Sequence, residues 1–236
     1  MFKSLKILIF AIINVMNKIV IKVSLLVFIF VLYSCSSIRL IKPIKKGEKL
    51  ITADIGGPLV IFSGAPIFLP LTSIGGAYGF TDNFSLQTSL HTTSLLFGTF
   101  HMESFANTNI KNFDRSGFSL NYGVYYFWGL RENIFSLYPA FDINYYRHYS
   151  NKNNYFYTSF SSLIELRNTK AFNEPIKQQI IPTLSFGHRW LKEKYEFGVE
   201  LKYLNFIKDN TNIVVEYIAP FNKGSLGLYF SLSKKF

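Results

Sequence analysis

Serine and histidine side chains at alternate positions form the pattern in this chain that comes closest to catalysis. Ser89 and His91 are two residues apart, and in a β-strand such residues share one face. A histidine within hydrogen-bond reach of a serine can act as the general base that activates it as a nucleophile. His148 and Ser150 form a second pair of this kind. Because alternation produces such pairs by chance in any serine-rich sheet, the sequence favours no catalysis, with His91 and Ser89 as weak candidates.

Metal ligands are too scattered to predict a metal site. Zinc sites need several His, Cys, Asp or Glu side chains at short spacing, whereas this chain has four histidines and one cysteine without such a cluster. No glycine-rich loop of the phosphate-binding kind is present either. The sequence therefore predicts no metal and no cofactor.

The single cysteine, Cys35, lies directly after a short apolar segment, residues 23–33. This segment has the length of a signal-peptide core and is too short for a comfortable membrane span. Residues 16–22 supply a basic leader, so Met16 is an alternative start. Residues 32–35 read Leu-Tyr-Ser-Cys and resemble the lipobox of bacterial lipoproteins, which implies cleavage before Cys35 and its acylation by fatty acids such as palmitate. An ordinary secretory signal and an uncleaved anchor are the alternatives.

The formal net charge of +11 is concentrated near the amino terminus. Residues 1–34 carry +4 and residues 35–50 a further +4, which leaves +3 for the rest of the chain. A nucleic-acid-binding face needs clustered Lys and Arg along one surface, and no such stripe is present. The charge distribution therefore predicts no nucleic-acid partner and places the basic residues against anionic lipid headgroups.

Composition and length predict one membrane domain behind the leader. Taking 34 residues from 236 leaves 202, which suits one domain. We divide the chain into a signal peptide at 1–34, a flexible basic linker at 35–47 and a barrel at 48–236. Aromatic residues make up 18% of the chain and charged residues only 17%, as expected of strands whose aromatic rings form girdles at a membrane interface. A water-soluble β-sandwich with a Phe-rich core is the alternative.

Period-two alternation dominates the barrel region. Between Ser116 and Trp128, aromatic and aliphatic residues alternate with Ser, Asn and Gly. Between Tyr195 and Tyr203, apolar residues alternate with Glu, Gly and Lys. Charged residues at every second position need water or partners on their side, which the lumen of a barrel supplies. The pattern predicts an all-β, antiparallel up-and-down transmembrane barrel whose apolar side chains face lipid.

The candidate strands number about ten, with eight as an alternative. Residues 92–105 are the weakest assignment, because residues 91–98 break the alternation and fit a bend or a short helix. Residues 57–70 are apolar but contain three prolines, which favours an ordered cap or an inward-folded loop over a regular strand. The ten candidates are 48–56, 72–80, 84–92, 95–105, 116–128, 135–146, 155–167, 179–191, 195–203 and 224–236.

Polar residues on the inward faces form the predicted lumen network. A barrel of eight to ten strands has an interior roughly filled by its own side chains. We therefore favour a salt-bridged polar core over a pore. The network is Asp142, Glu165, Arg167, Arg189, Glu200 and Lys202.

The last strand resembles the carboxy-terminal signal of outer-membrane barrel proteins. Its pattern consists of a polar residue, a glycine, and alternate apolar or aromatic residues ending on an aromatic one, as in Ser225, Gly227, Phe230, Leu232 and Phe236. With the lipobox, it makes the chain similar to small outer-membrane barrel lipoproteins of Gram-negative bacteria. The resemblance implies recognition by the barrel assembly and lipoprotein sorting machineries, and no particular chemistry.

These patterns favour a lipid-anchored outer-membrane barrel with a structural or surface-interaction role, its amino terminus anchored on the periplasmic side. Two alternatives belong to other classes. One is a lipid-modifying barrel enzyme that uses a His/Ser pair, and the other is a periplasmic lipocalin-like carrier whose apolar face points inward. The direction of the apolar faces separates the carrier from the membrane barrel.

Overall fold

A computed structural model describes residues 38–131, 133–149, 153–169, 175–211 and 216–236 of the chain. The predicted signal peptide and Cys35 lie outside these ranges. Within them, no helix is both long enough and apolar enough to cross a membrane.

The described chain folds mainly into β-strands, which enclose a lumen. The strands are β1 (Lys49–Phe62), β2 (Ala65–Phe68), β3 (Leu71–Thr81), β4 (Phe84–His91), β5 (Thr99–Asn112), β6 (Ser116–Gly129), β7 (Ile134–Tyr149), β8 (Asn154–Ile164), β9 (Ile180–Leu191), β10 (Tyr195–Asp209) and β11 (Lys223–Lys235). All pairings are antiparallel, and β11 pairs with β1 from Lys235 opposite Leu50 to Gly227 opposite Pro58. Ten strands therefore close the predicted barrel, and β2 is an extra strand paired with the outer part of β1.

The two faces of the strands differ as the alternation predicts. On β10, Phe197 and Leu201 are 42% and 43% exposed, whereas Glu200 between them is 5% exposed. On β6, Tyr122 is 46% exposed and its neighbour Asn121 is buried. The apolar side chains thus point away from the barrel axis and the polar ones towards it. This direction is opposite to the one that a lipocalin-like carrier or a soluble sandwich requires.

The barrel has a terminal end and a loop end. At the terminal end, the backbones of Lys49 and Phe236 are joined by two hydrogen bonds of 2.9 and 3.3 Å. The connections between β3 and β4 and between β9 and β10 lie at this end, and the connection between β6 and β7 lies at the loop end. The loop end also carries the longer connections at 165–179 and 210–222.

Two segments at the loop end were difficult to assign from the sequence, residues 91–98 and residues 57–70. Residues Thr92–Leu96 form a short helix, α1, which confirms one of the two expectations for the break in alternation. The expectation of a cap or inward loop at 57–70 is wrong, because this segment extends β1 and forms a hairpin with β2. Ser63 and Gly64 both have positive φ, as a two-residue type I′ turn requires. The hairpin projects from the rim, and Phe62 at its tip is exposed.

Candidate functional site

The lumen contains part of the polypeptide itself, residues 38–47, which we call the lumen segment. It runs from Ile38, which lies near Thr52 and Asp54 of β1, to the terminal end. There the Lys46 N–H donates to the Asp82 carboxylate at 3.0 Å. The sequence predicted a flexible linker at 35–47. Its residues 38–44 are instead packed inside the barrel, and residues 45–47 are exposed at the terminal end. The linker expectation rested on charge and loop-like composition, which do not show what the lumen wall offers a basic segment.

Arg39 makes the central contacts of the lumen segment. Its guanidinium Nη1 donates to both oxygens of the Asp142 carboxylate, with an N···O distance of 2.6 Å to Oδ2. Glu103 lies 3.5 Å away, and the Tyr125 hydroxyl accepts a further hydrogen bond. The same guanidinium lies 3.8 Å from the centre of the Phe105 ring. Two carboxylates and an aromatic face therefore compensate the burial of this cation.

Amide side chains of the barrel wall satisfy the backbone of the lumen segment. The Leu40 N–H donates to the Gln87 side chain at 2.7 Å, and the Leu40 carbonyl accepts from Asn107 and Asn121 at 3.2 and 2.9 Å. The Ile41 carbonyl accepts from the Ser119 hydroxyl. A segment without strand or helix partners would otherwise leave these backbone groups unsatisfied. Wall residues on three neighbouring strands thus hold it in one register.

Apolar contacts complete the packing of the lumen segment. Ile41 is buried in a cluster with Tyr146, Tyr155 and Tyr157, inward-facing residues of β7 and β8. A second cluster lies nearer the terminal end and contains Leu40, Ile44 and Leu50. The lumen is therefore filled by the strands and by the lumen segment together.

Four of the six predicted network residues lie in the lumen. Asp142 binds Arg39, as described above. The Arg189 guanidinium donates to Glu196 at 3.1 Å and to the Arg39 carbonyl at 2.9 Å. Glu200 and Lys202 lie 3.9 Å apart. Asp142 and Arg189 thus connect the wall to the lumen segment, whereas the pair of Glu200 and Lys202 lies within β10.

Glu165 and Arg167 lie apart from this network, beyond the end of β8. They form an ion pair of 2.9 Å, and Arg167 also donates to the Tyr138 hydroxyl at 2.5 Å. The hydrogen bond from Arg167 lowers the pKa of the Glu165 carboxyl. Pairing between β7 and β8 begins at Ala140, because the preceding Pro139 has no N–H to donate. The Arg167 contact therefore bridges the loop end where strand pairing has stopped.

A cavity of about 220 Å³ remains in the lumen on the loop side of Arg39. Asp142, Glu200 and Lys202 line it together with Ser and Asn side chains of β7 to β10. Two carboxylates and two cations share its wall, so the lining carries no formal net charge. The arrangement suits water or a small polar solute.

The candidate pair Ser89 and His91 does not form a catalytic arrangement. Both side chains face the lumen, but neither ring nitrogen of His91 makes a hydrogen bond. The His91 ring stacks on that of His101 with centroids 3.7 Å apart, and its Nε2 lies 3.9 Å from Glu103. Among the described residues, no hydrogen bond joins His91 to Ser89.

His148, the histidine of the second candidate pair, contacts the lumen segment. His148 accepts a hydrogen bond from the Lys42 ammonium at 3.2 Å, and its sequence partner Ser150 lies outside the described residues. Among the described ranges, no three His, Cys, Asp or Glu side chains are placed to hold a metal ion.

The carboxy-terminal pattern lies on the strand that closes the barrel. Phe230, Leu232 and Phe236 belong to its outward-facing positions, whereas Gly227 faces inward opposite Pro58 of β1. Phe230 packs near Phe68 of the hairpin, with ring centroids 6.3 Å apart.

Sequence reasoning missed Arg39 and Glu103, which make the central contacts. Arg39 stood in the presumed linker, and Glu103 stood in the weakest strand assignment. The balance of charged side chains on the barrel wall is the signal that could have revealed Arg39. The described strands bury five carboxylates but one guanidinium, that of Arg189. Such an excess indicates that cations reach the lumen from elsewhere in the chain.

Comparisons with known proteins returned structures of similar fold. An outer-membrane channel from Pseudomonas putida F1 is 10% identical with a TM-score of 0.48, covering 85% of this chain and 100% of its own. The translocator domain of the autotransporter NalP from Neisseria meningitidis is 8% identical with a TM-score of 0.46, covering 82% and 90%. No family model and no curated protein matches the sequence. Likeness at this level says nothing of what the protein binds or transports.

Proposed function

We propose that this protein is an outer-membrane β-barrel that closes its own lumen with residues 38–47 and has a structural or surface-interaction role. The observation that carries the proposal is Arg39, buried between Asp142 and Glu103 across the lumen. A buried guanidinium held by two carboxylates is costly to displace. A wide aqueous channel would leave these groups in contact with bulk water.

The outward face supports a membrane location. In hydrocarbon every backbone polar group must be satisfied internally, which a closed barrel achieves. The exposed side chains of the strands are large and apolar, and they include Phe118, Tyr122, Trp128, Phe160 and Phe197. A soluble protein rarely exposes a continuous apolar belt of this kind.

The carboxy-terminal pattern and Cys35 support the proposed route to the outer membrane. Phe230, Leu232 and Phe236 face outward on the closing strand, where the barrel assembly machinery can recognise them before closure. Acylation of Cys35 would bring the lipoprotein sorting machinery into the pathway.

Ion conductance tests the closed lumen. The Cys35→Ser variant, which cannot be acylated, is inserted into planar bilayers after heat-modifiable gel migration has shown that the barrel is folded. We expect no steady conductance, and conductance steps when Arg39→Ser, Ile41→Ser and Lys42→Ser are added. Steady conductance of the Cys35→Ser variant would overturn the proposal. Mass spectrometry of the wild-type protein tests acylation separately, and an unmodified Cys35 in outer-membrane fractions would refute the anchor alone.

A further inference from the structure

The outward surface contains a groove of about 380 Å³ near the terminal end. It crosses β7, β8 and β9, and its lining is almost entirely apolar. The outward-facing residues along it are Tyr145, Arg147, Tyr149, Phe156, Thr158 and Phe186.

Strand register explains why a groove forms here. Thr158 of β8 is paired with Tyr145 on one side and Phe186 on the other. A small side chain between two large rings leaves a depression in the surface. Phe156 closes the side nearer the terminal end, stacking on Tyr149 at 5.2 Å and on Phe186 at 6.0 Å. The depression has the width of a side chain and an aromatic wall, which suits a flexible hydrocarbon chain.

Arg147 lies at the terminal edge of this groove, paired with Phe156 and two residues before the end of β7. It is exposed on the outward face, and within the described ranges no carboxylate forms an ion pair with it. From this position a guanidinium can extend towards the headgroup region while its aliphatic stem stays against the rings. The groove therefore combines an apolar floor with one cation at its terminal edge.

We propose that this groove binds an anionic phospholipid of the periplasmic leaflet, with its phosphate on Arg147 and an acyl chain across Thr158. The proposal rests on the membrane location argued above. A guanidinium binds phosphate oxygens through paired hydrogen bonds, and no carboxylate of the described residues neutralises Arg147 among its aromatic neighbours. A second copy of the chain offers no matching feature, since the terminal end is rich in lysine and would repel itself.

Tryptophan fluorescence can report occupancy of the groove. The chain has two tryptophans, Trp128 and Trp190, and Trp128 lies towards the loop end on β6. Trp190 contacts His188 with centroids 4.0 Å apart, and His188 contacts Phe156 at 4.5 Å. The Trp128→Phe variant therefore leaves one fluorophore beside the groove.

The experiment compares two sets of vesicles made from phosphatidylcholine with a minor fraction of phosphatidylglycerol. In one set a fixed amount of the phosphatidylglycerol carries bromine, and in the other set the same amount of the phosphatidylcholine carries it. Quenching of Trp190 fluorescence is measured in both sets. We expect brominated phosphatidylglycerol to be enriched at Trp190 about fivefold, the ratio for one cation near an anionic headgroup. Arg147→Gln should abolish the preference. Arg115→Gln, at an exposed arginine of the same end, should leave it unchanged.

The outcomes separate this proposal from the membrane location. Equal quenching by both lipids, or a preference that survives Arg147→Gln, overturns the phospholipid site alone. Absence of quenching by either lipid overturns the membrane location and the site together. Thr158→Phe fills the depression and should reduce quenching by both lipids. Efficient cross-linking between two copies across the groove would assign it to a protein contact and also overturn the proposal.

Discussion

Removal of the Asp142 carboxylate is expected to release the lumen segment. In the Asp142→Ala variant, Arg39 loses the carboxylate that binds its Nη1 and keeps Glu103 at 3.5 Å. The hydrogen bond that Asn121 donates to Asp142 at 3.0 Å is lost as well. Breaking a buried ion pair by removing one partner costs about 3–5 kcal/mol. Because Glu103 still compensates part of the charge, we expect a value near the lower limit, about 3 kcal/mol.

Cysteine labelling can measure this opening without unfolding the barrel. Leu40 is buried beside Arg39, so Leu40→Cys in a Cys35→Ser background reports exposure of the lumen segment to a water-soluble maleimide. Local opening governs the labelling rate when closing is fast. A cost of about 3 kcal/mol corresponds to a rate increase of about 100-fold in the Asp142→Ala variant.

A control and a mutant cycle make the result specific. Asp209→Ala removes an acid at the loop end of β10 that makes a local contact with Thr211, and it should leave the rate unchanged. Asp142→Leu combined with Arg39→Met should accelerate labelling less than the sum of the single effects, because the two side chains depend on each other. If Asp142→Ala changed the labelling rate less than twofold, Arg39 would not hold the segment and the argument for a closed lumen would fail.

Three further predictions concern other parts of the barrel. The Arg167 contact stabilises the ionised Glu165, so its contribution to the stability of the loop end is complete above the usual pKa of a glutamate and is lost as pH falls through the lowered pKa. Protease cleavage at the loop end should therefore accelerate below that pH in the wild type and not in Glu165→Gln. Gly187→Val should lower the thermal midpoint of heat-modifiable migration, because a Cβ there would lie 2.2 Å from the Tyr157 ring. Ile41→Ala should raise the labelling rate, since deleting a buried isoleucine costs about 2–5 kcal/mol, and an unchanged rate would show that its cluster does not hold the lumen segment.

The alternation of polar and apolar residues was sufficient to predict the barrel wall. A one-residue shift would have moved every side chain to the opposite face, so the positions of Phe197 and Glu200 assigned the two faces of β10 from sequence alone. The strand count followed from the number of alternating runs. The hairpin beyond Gly57 was missed because its prolines argue against a regular central strand. Pro66 instead lies on β2, which is an extra strand outside the barrel wall.

The lumen segment was less predictable because its structure depends on contacts distant in sequence. Arg39 meets Asp142 across 103 residues, and no local pattern announces such a pair. Composition alone described residues 35–47 as a linker, since four basic residues in a short stretch usually remain solvated. Arg39 and Lys42 instead enter the lumen, where the backbone between them is held by amide side chains such as Asn107 and Asn121.

The charge of the wall gives a physical reason why the lumen must be filled by more than strand side chains. Five buried carboxylates on the strands face one buried guanidinium, and in a low-dielectric interior such an imbalance is unfavourable. Arg39 and Lys42 supply two cations where the excess lies. If the lumen segment leaves, the carboxylates require water or counter-ions to replace these cations. The closed and open states therefore differ in hydration of the lumen as well as in the passage of ions. The carboxylates that hold the lumen segment in the closed state would favour cations in an open barrel.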